Sequence, residues 1–151
     1  PTRLGNILRA AERKPSEKYG LDAVICWSRL WLLLPDAVKQ DLQAARADLN
    51  SAARVCLWSL LFCGWALLSL QFDPKFTINP LALWPLLGLL SARFAYQWAI
   101  AAATTYSELI EASFDLYRHL LYESLRWHLP ADPAVERRVG AELTQYLWRG
   151  F

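Results

Sequence analysis

The sequence contains no methionine, only 3 cysteines, 2 histidines and 6 glycines among 151 residues, and only 20% of it is charged. Each scarcity excludes something. A chain that starts at Pro1 and lacks Met is expected to be a piece of a longer protein. Its opening residues, Pro1-Thr2-Arg3-Leu4-Gly5-Asn6, have no basic segment followed by an apolar run, so they are not a signal peptide. An odd set of cysteines, Cys26, Cys56 and Cys63, does not make a disulfide framework. On a helix, Cys56 and Cys63 stand about 10 Å apart along the axis, too far for a bridge, and buried free thiols are the expectation for all three. A net charge of +2 with no Lys/Arg-rich tract gives no ground for a nucleic-acid partner. No GxGxxG, P-loop, nucleophile elbow, HExxH or CxxC occurs. With two histidines and no catalytic set, the chain is expected not to be an enzyme, to have no catalytic or metal-binding residues, and to carry no cofactor.

What the chain does have is apolar residue, 55% of the total with 8 Trp, where soluble domains carry about 25% charge. The excess lies in the middle. Val55–Phe72 is an 18-residue run without a charge, bracketed by Arg54 and Asp73. As a helix it covers about 27 Å, close to the ~30 Å hydrocarbon core. Asp73–Pro80, DPKFTINP, is a polar, proline-bounded turn. Leu81–Ser107 is a second apolar run, interrupted only by Arg93, with its membrane part expected over Leu81 to about Ala101.

The flanks read as helix. DAVKQDLQAARADLNSAAR lacks Gly and Pro and runs from Asp36 into the first apolar stretch. On the other side, Tyr106, Ile110, Phe114 (or Ser113), Tyr117, Leu121 and Leu125 recur at helical steps. The expected fold is an all-α integral membrane protein, an antiparallel two-helix transmembrane hairpin extended into the cytoplasm. Residues 1–35 form short amphipathic or interfacial helices: Thr2–Arg13, ending before Lys14-Pro15, and Leu21–Leu34. Residues 36–72 form a cytoplasmic helix continuing into the first span, and 73–80 the extracytoplasmic loop. Residues 81–128 form the second span and its cytoplasmic continuation. Residues 129–151 carry a terminal helix, Pro133–Trp148, capped by Asp132. Lys39, Arg46 and Arg54 precede the first span and Arg118 and Arg126 follow the second, against one Lys in the loop. Both ends are therefore expected in the cytoplasm.

In lipid, helices approach through small residues. Gly88, Ala92, Ala95, Ala99 and Ala102 form one such stripe, and Ala52, Cys56, Ser59, Cys63 and Ala66 another. They are expected to face each other or neighbouring subunits. Counted from Leu81, Arg93 lies about 18 Å into its span. There it is either a pore-lining or partner-pairing charge or a residue that snorkels to the headgroups. Glu108, Glu111, Asp115 and His119 follow. The last three, spaced i, i+4, i+8, share a helix face. They bind a metal, or ring the mouth of a cation path, or form an ordinary solvated face with Asp115 paired locally to Arg118. Trp27 and Trp31, one turn apart, and Trp84 and Trp98 are expected at the membrane interface, and Trp58 and Trp65 as further anchors or packing groups.

PTRLGNILRAAE with YGLDAVICWSRLWLLLP, and the later FDLYRHLLYESLRWHLP, resemble blocks of an uncharacterised bacterial multi-helix membrane protein family of unknown function. That resemblance implies a bacterial inner membrane location and supplies no site residues. Two functions follow. One is a subunit of a homo-oligomeric pore or ion channel in the lipid bilayer, with Arg93 and the acidic group along the path. The other is an anchor or scaffold that holds a cytoplasmic helical module or protein partner.

Overall fold

The computed structural model describes residues 2–72, 83–130 and 132–150. The expected loop Asp73–Pro80 and the start of the second run at Leu81 lie outside them. Among the described residues the chain is all-helical, with five helices: α1 (Arg3–Tyr19), α2 (Ala23–Leu33), α3 (Asp36–Phe72), α4 (Leu83–Ser124) and α5 (Pro133–Arg149). Two of them, α3 and α4, are long and apolar enough to cross a membrane. The chain divides into two compact units, Pro1–Ala45 with Ala103–Phe151, and Arg46–Ala102.

In the first unit the caps follow the sequence signals. The Thr2 hydroxyl accepts from the Gly5 N–H at 3.2 Å, and the Asp22 carboxylate accepts from Val24 and Ile25 at 2.8 and 3.2 Å. The Asp132 carboxylate accepts from Ala134 at 3.0 Å, which closes the start of α5 as expected. Gly20 and Gly150 close α1 and α5 in the left-handed conformation, with φ of 72° and 81°.

Two boundaries differ from the sequence reading. Helix α1 does not stop before Lys14-Pro15 but continues to Tyr19. An interior proline removes one backbone bond and costs about 3 kcal/mol. Here Pro15 is fully buried, one turn beyond buried Ala11, so packing of that face offsets the penalty. Helix α4 ends at Ser124 instead of reaching His128. Arg126 takes the left-handed conformation, φ 55°. Its N–H donates to the Glu123 carbonyl at 3.0 Å, and the Trp127 N–H to Tyr122 at 2.8 Å. This pair of bonds is a Schellman stop, built on an arginine where the motif usually has glycine.

The core of this unit is Leu21, Cys26, Leu30 and Leu34 from α2 and its flanks, Leu42 from α3, Phe114, Leu121 and Tyr122 from α4, and Val139 and Leu143 from α5. Helix α5 crosses the end of α1 at two glycines. A Cβ on Gly20 would lie 2.0 Å from the Arg137 carbonyl oxygen, and one on Gly140 2.0 Å from that of Tyr19. The Thr144 hydroxyl fixes the crossing, donating to the Gly20 carbonyl at 3.2 Å and accepting from the Asp22 N–H at 3.1 Å.

The second unit inverts the usual distribution of side chains. Among its described residues the buried positions are mostly small, Ala52, Ser59, Ala66, Ala92, Ala95, Ala99 and Ala102, with Ile100 the one large apolar side chain among them. Its large apolar side chains point outward, with Trp58 68%, Trp65 73% and Phe94 74% exposed. The Ser59 and Ser91 hydroxyls meet at 2.8 Å, the Cys56 thiol donates to the Ala92 carbonyl at 3.8 Å, and the Cys63 thiol to that of Pro85 at 3.4 Å. Partner numbers on α4 fall as those on α3 rise, the order that antiparallel neighbours produce.

Candidate functional site

The densest polar arrangement lies in the first unit, where α1, α4 and α5 meet. Lys14 and Lys18 stand one turn apart on α1, as Glu111 and Asp115 do on α4. The spacings match, so two i,i+4 pairs can register side by side. The Lys14 ammonium lies 2.5 Å from the Glu111 carboxylate, and Lys18 3.0 Å from Asp115 and 3.5 Å from Glu111. The Tyr19 hydroxyl donates to Asp115 at 2.6 Å. The Arg118 guanidinium rests 4.2 Å from the centre of the Tyr19 ring and reaches Glu136 on α5 through Nε at 2.7 Å. Arg118 also donates to the Asp115 main-chain carbonyl.

These contacts differ in weight. The Lys14 and Lys18 side chains are nearly half exposed, and such pairs contribute about 0–1 kcal/mol each. Arg118 and Glu136 are mostly sheltered, at 26% and 13% exposure, and bonds between charged groups there are the stronger kind. Arg118 is therefore the hub, held by Glu136 and stacked on Tyr19, and the lysines trim the register of α1 on α4.

The electrostatics agree. Partial burial pushes the Asp115 carboxyl up, but the Tyr19 hydroxyl and the Lys18 ammonium outweigh it and hold the group below its ordinary value of 3.8. Burial and the Asp115 bond raise the Tyr19 phenol. Because the folded carboxyl is the stronger acid, its contribution to stability is fully present above its ordinary value and is lost as pH falls through the lower folded value. Asp115→Asn should accordingly melt below wild type at neutral pH, and the gap should close below about pH 4. Melting temperatures across an acid series test this, and a gap that stays constant would refute it.

Of the other expected site residues, Glu108 and His119 are exposed, and His119 is not drawn into the Glu111–Asp115 cluster. No group of three His, Cys, Asp or Glu suited to a metal occurs among the described residues. Arg118 pairs with Glu136 rather than with the Asp115 carboxylate. Cys26 is buried, and burial raises its thiol to about 11, so it is protonated at neutral pH. Trp27 packs at 5.9 Å from Phe114 and 6.0 Å from Trp31, against the first unit's core. Trp84 meets Phe62 edge-on at 6.0 Å, and the Trp98 indole donates to Asp48 at 3.2 Å. The structure brings Gly88 against Cys63, where a Cβ on the glycine would lie 3.0 Å from the Cys63 Cβ. Arg93 is exposed.

Sequence reasoning missed Lys14, Lys18, Tyr19 and Glu136. The matching i,i+4 spacing of Lys14/Lys18 and Glu111/Asp115 was the available signal, but it becomes informative only once α1 and α4 are known to be neighbours. No family model, curated protein or solved structure matches this chain.

Proposed function

We propose that the chain is a membrane anchor: an antiparallel transmembrane hairpin formed by the apolar parts of α3 and α4 holds the helical unit built on α1, α2 and α5 at a membrane. The observation that carries this reading is the inverted second unit. Only 11% of the most apolar window of α3 is buried within the chain. A soluble core helix would be mostly buried, whereas an outward layer of Leu, Phe and Trp suits hydrocarbon. Small residues and paired hydroxyls between the helices are the means of association expected in lipid.

The state of Glu111 and Asp115 favours the anchor over the pore. Both are paired to lysines of the same chain, so they offer little charge to a passing cation. A homo-oligomeric pore is the second reading. It is favoured by Arg93, an exposed charge with no ion pair among the described residues. The Lys/Arg bias places both ends in the cytoplasm, and the family resemblance points to a bacterial inner membrane.

Alkaline carbonate washing of membranes that carry the protein tests the anchor. The chain should remain in the pellet and float with lipid on a density gradient. Recovery as a detergent-free soluble species would overturn both readings.

A further inference from the structure

We propose that Arg54 and Arg93 lie at one common level of the helix pair, the phosphate level of one membrane face, and that both guanidiniums bind the phosphate groups of anionic phospholipid. The proposal rests on the membrane anchoring inferred above.

The level follows from the register of α3 on α4. Cys56 sits opposite the Ala92 carbonyl. Arg54 precedes Cys56 by two residues, about 3 Å of rise. Arg93 follows Ala92 by one, about 1.5 Å in the same direction along an antiparallel pair. The two arginines therefore differ in level by only about 1.5 Å. Further along that direction, the Trp98 indole donates to the Asp48 carboxylate at 3.2 Å. An aspartate in the middle of hydrocarbon is costly, so Asp48 and Trp98 belong with headgroups or water. On the other side of the arginines, Ser59, Phe62, Leu87 and Gly88 bring no charge. The hydrocarbon boundary thus falls where Arg54 and Arg93 stand.

Both arginines are exposed, and neither has an ion pair among the described residues. Arg54 stands two positions from both Ala52 and Cys56 of the inward stripe, about 200° around the helix, so it faces away from α4. Phe94, 74% exposed, and Trp98 add aromatic rings where an interface belt is expected. A guanidinium offers paired N–H donors that match phosphate oxygens, and it gives up water more readily than an ammonium. On this register Arg93 marks one boundary rather than a point inside the span, and Leu83–Ala92 supplies about 15 Å of the α4 crossing beyond it. The apolar residues after it, through Ala102, run beside the part of α3 that carries Arg46 and Asp48. Ala95, Ala99 and Ala102 are buried there, packed within the protein rather than against lipid.

The test uses the full chain in bilayers of phosphatidylcholine mixed with phosphatidylglycerol. Spin labels are placed singly at Val55→Cys, Leu61→Cys, Leu87→Cys and Phe94→Cys after the native cysteines are replaced by serine, so both arginines stay. Accessibility to oxygen and to a water-soluble nickel chelate reports depth. Labels at 55 and 94 should share a shallow depth, with 61 and 87 deeper. If 61 and 87 meet nickel as readily as 55, the membrane reading fails and takes this proposal with it. If they are deep and 94 is far deeper than 55, the common level alone is wrong. Native mass spectrometry of lipid carried by the protein tests the ligand. The Arg54→Gln/Arg93→Gln double variant should lose a severalfold enrichment of phosphatidylglycerol, and an unchanged enrichment would overturn phosphate binding.

Discussion

Replacing Gly140 with alanine should cost the α1–α4–α5 unit more than about 3 kcal/mol, beyond the usual range for one overpacked methyl. The reason is what the methyl would strike. Its Cβ would lie 2.0 Å from the Tyr19 carbonyl oxygen, where carbon and oxygen normally keep about 3.3 Å or more. A flexible side chain could swing aside, but a carbonyl at the end of α1 cannot move without its helix. That end is tied in three ways: Thr144 holds the Gly20 carbonyl, Tyr19 is bonded to Asp115, and Arg118 stacks on its ring. Opening the crossing by more than 1 Å would strain all three. Against a typical total stability of about 5–15 kcal/mol, such a loss is large. Thermal unfolding of the purified protein, followed by tryptophan fluorescence, measures it. Gly64→Ala is the control, because nothing lies within 4 Å of a Cβ at that position and alanine is the better helix former by about 1 kcal/mol. Equal melting of Gly140→Ala and wild type would mean that α5 does not cross α1 at this distance.

The same residues show how far a sequence can be read. Helices α3 and α4 were legible because long stretches lack Gly and Pro and their apolar content is extreme. Helix α5 was legible because Asp132-Pro133 is a local start signal. Pro15 misled, since the cost of an interior proline is local while the burial that offsets it comes from the rest of the fold. The stop at Ser124 had no signature, because an arginine in the left-handed conformation looks like any other arginine in one dimension. For the candidate site, the acidic half was visible as Glu111 and Asp115 on one face. Its basic half lies 97 positions away, and no periodicity relates segments so distant. The close passage of Gly20 and Gly140 was invisible for the same reason. Two glycines mark a backbone contact only after the helices that carry them are placed. The level of Arg93 along the helix pair shares this limit: α4 alone does not set it, and only the neighbour α3 supplies a reference, through Cys56 opposite Ala92.

Leu61→Asp should have effects of opposite sign in the two environments the second unit could occupy. Leu61 is 53% exposed and lies in the middle of the uncharged α3 run. In water, trading an exposed leucine for an aspartate removes an apolar contact with solvent and leaves stability within about 0.5 kcal/mol, while solubility improves. In hydrocarbon, the same change forfeits the favourable leucine term and adds an aspartate penalty, a loss of about 3–4 kcal/mol on insertion scales. That is a several-hundredfold change in the insertion equilibrium. Neither snorkelling nor pairing offers an escape, because aspartate is short and no cation lies near this level among the described residues; Arg54 is seven positions away. The expected result is a chain that no longer integrates. It should be extracted by carbonate or degraded, while Gln40→Asp, on the polar part of α3, integrates as wild type does. If the Leu61→Asp protein expresses better and stays in solution with its helices intact, the outward layer of leucine and tryptophan faces water or another protein, and the hairpin is not in a membrane.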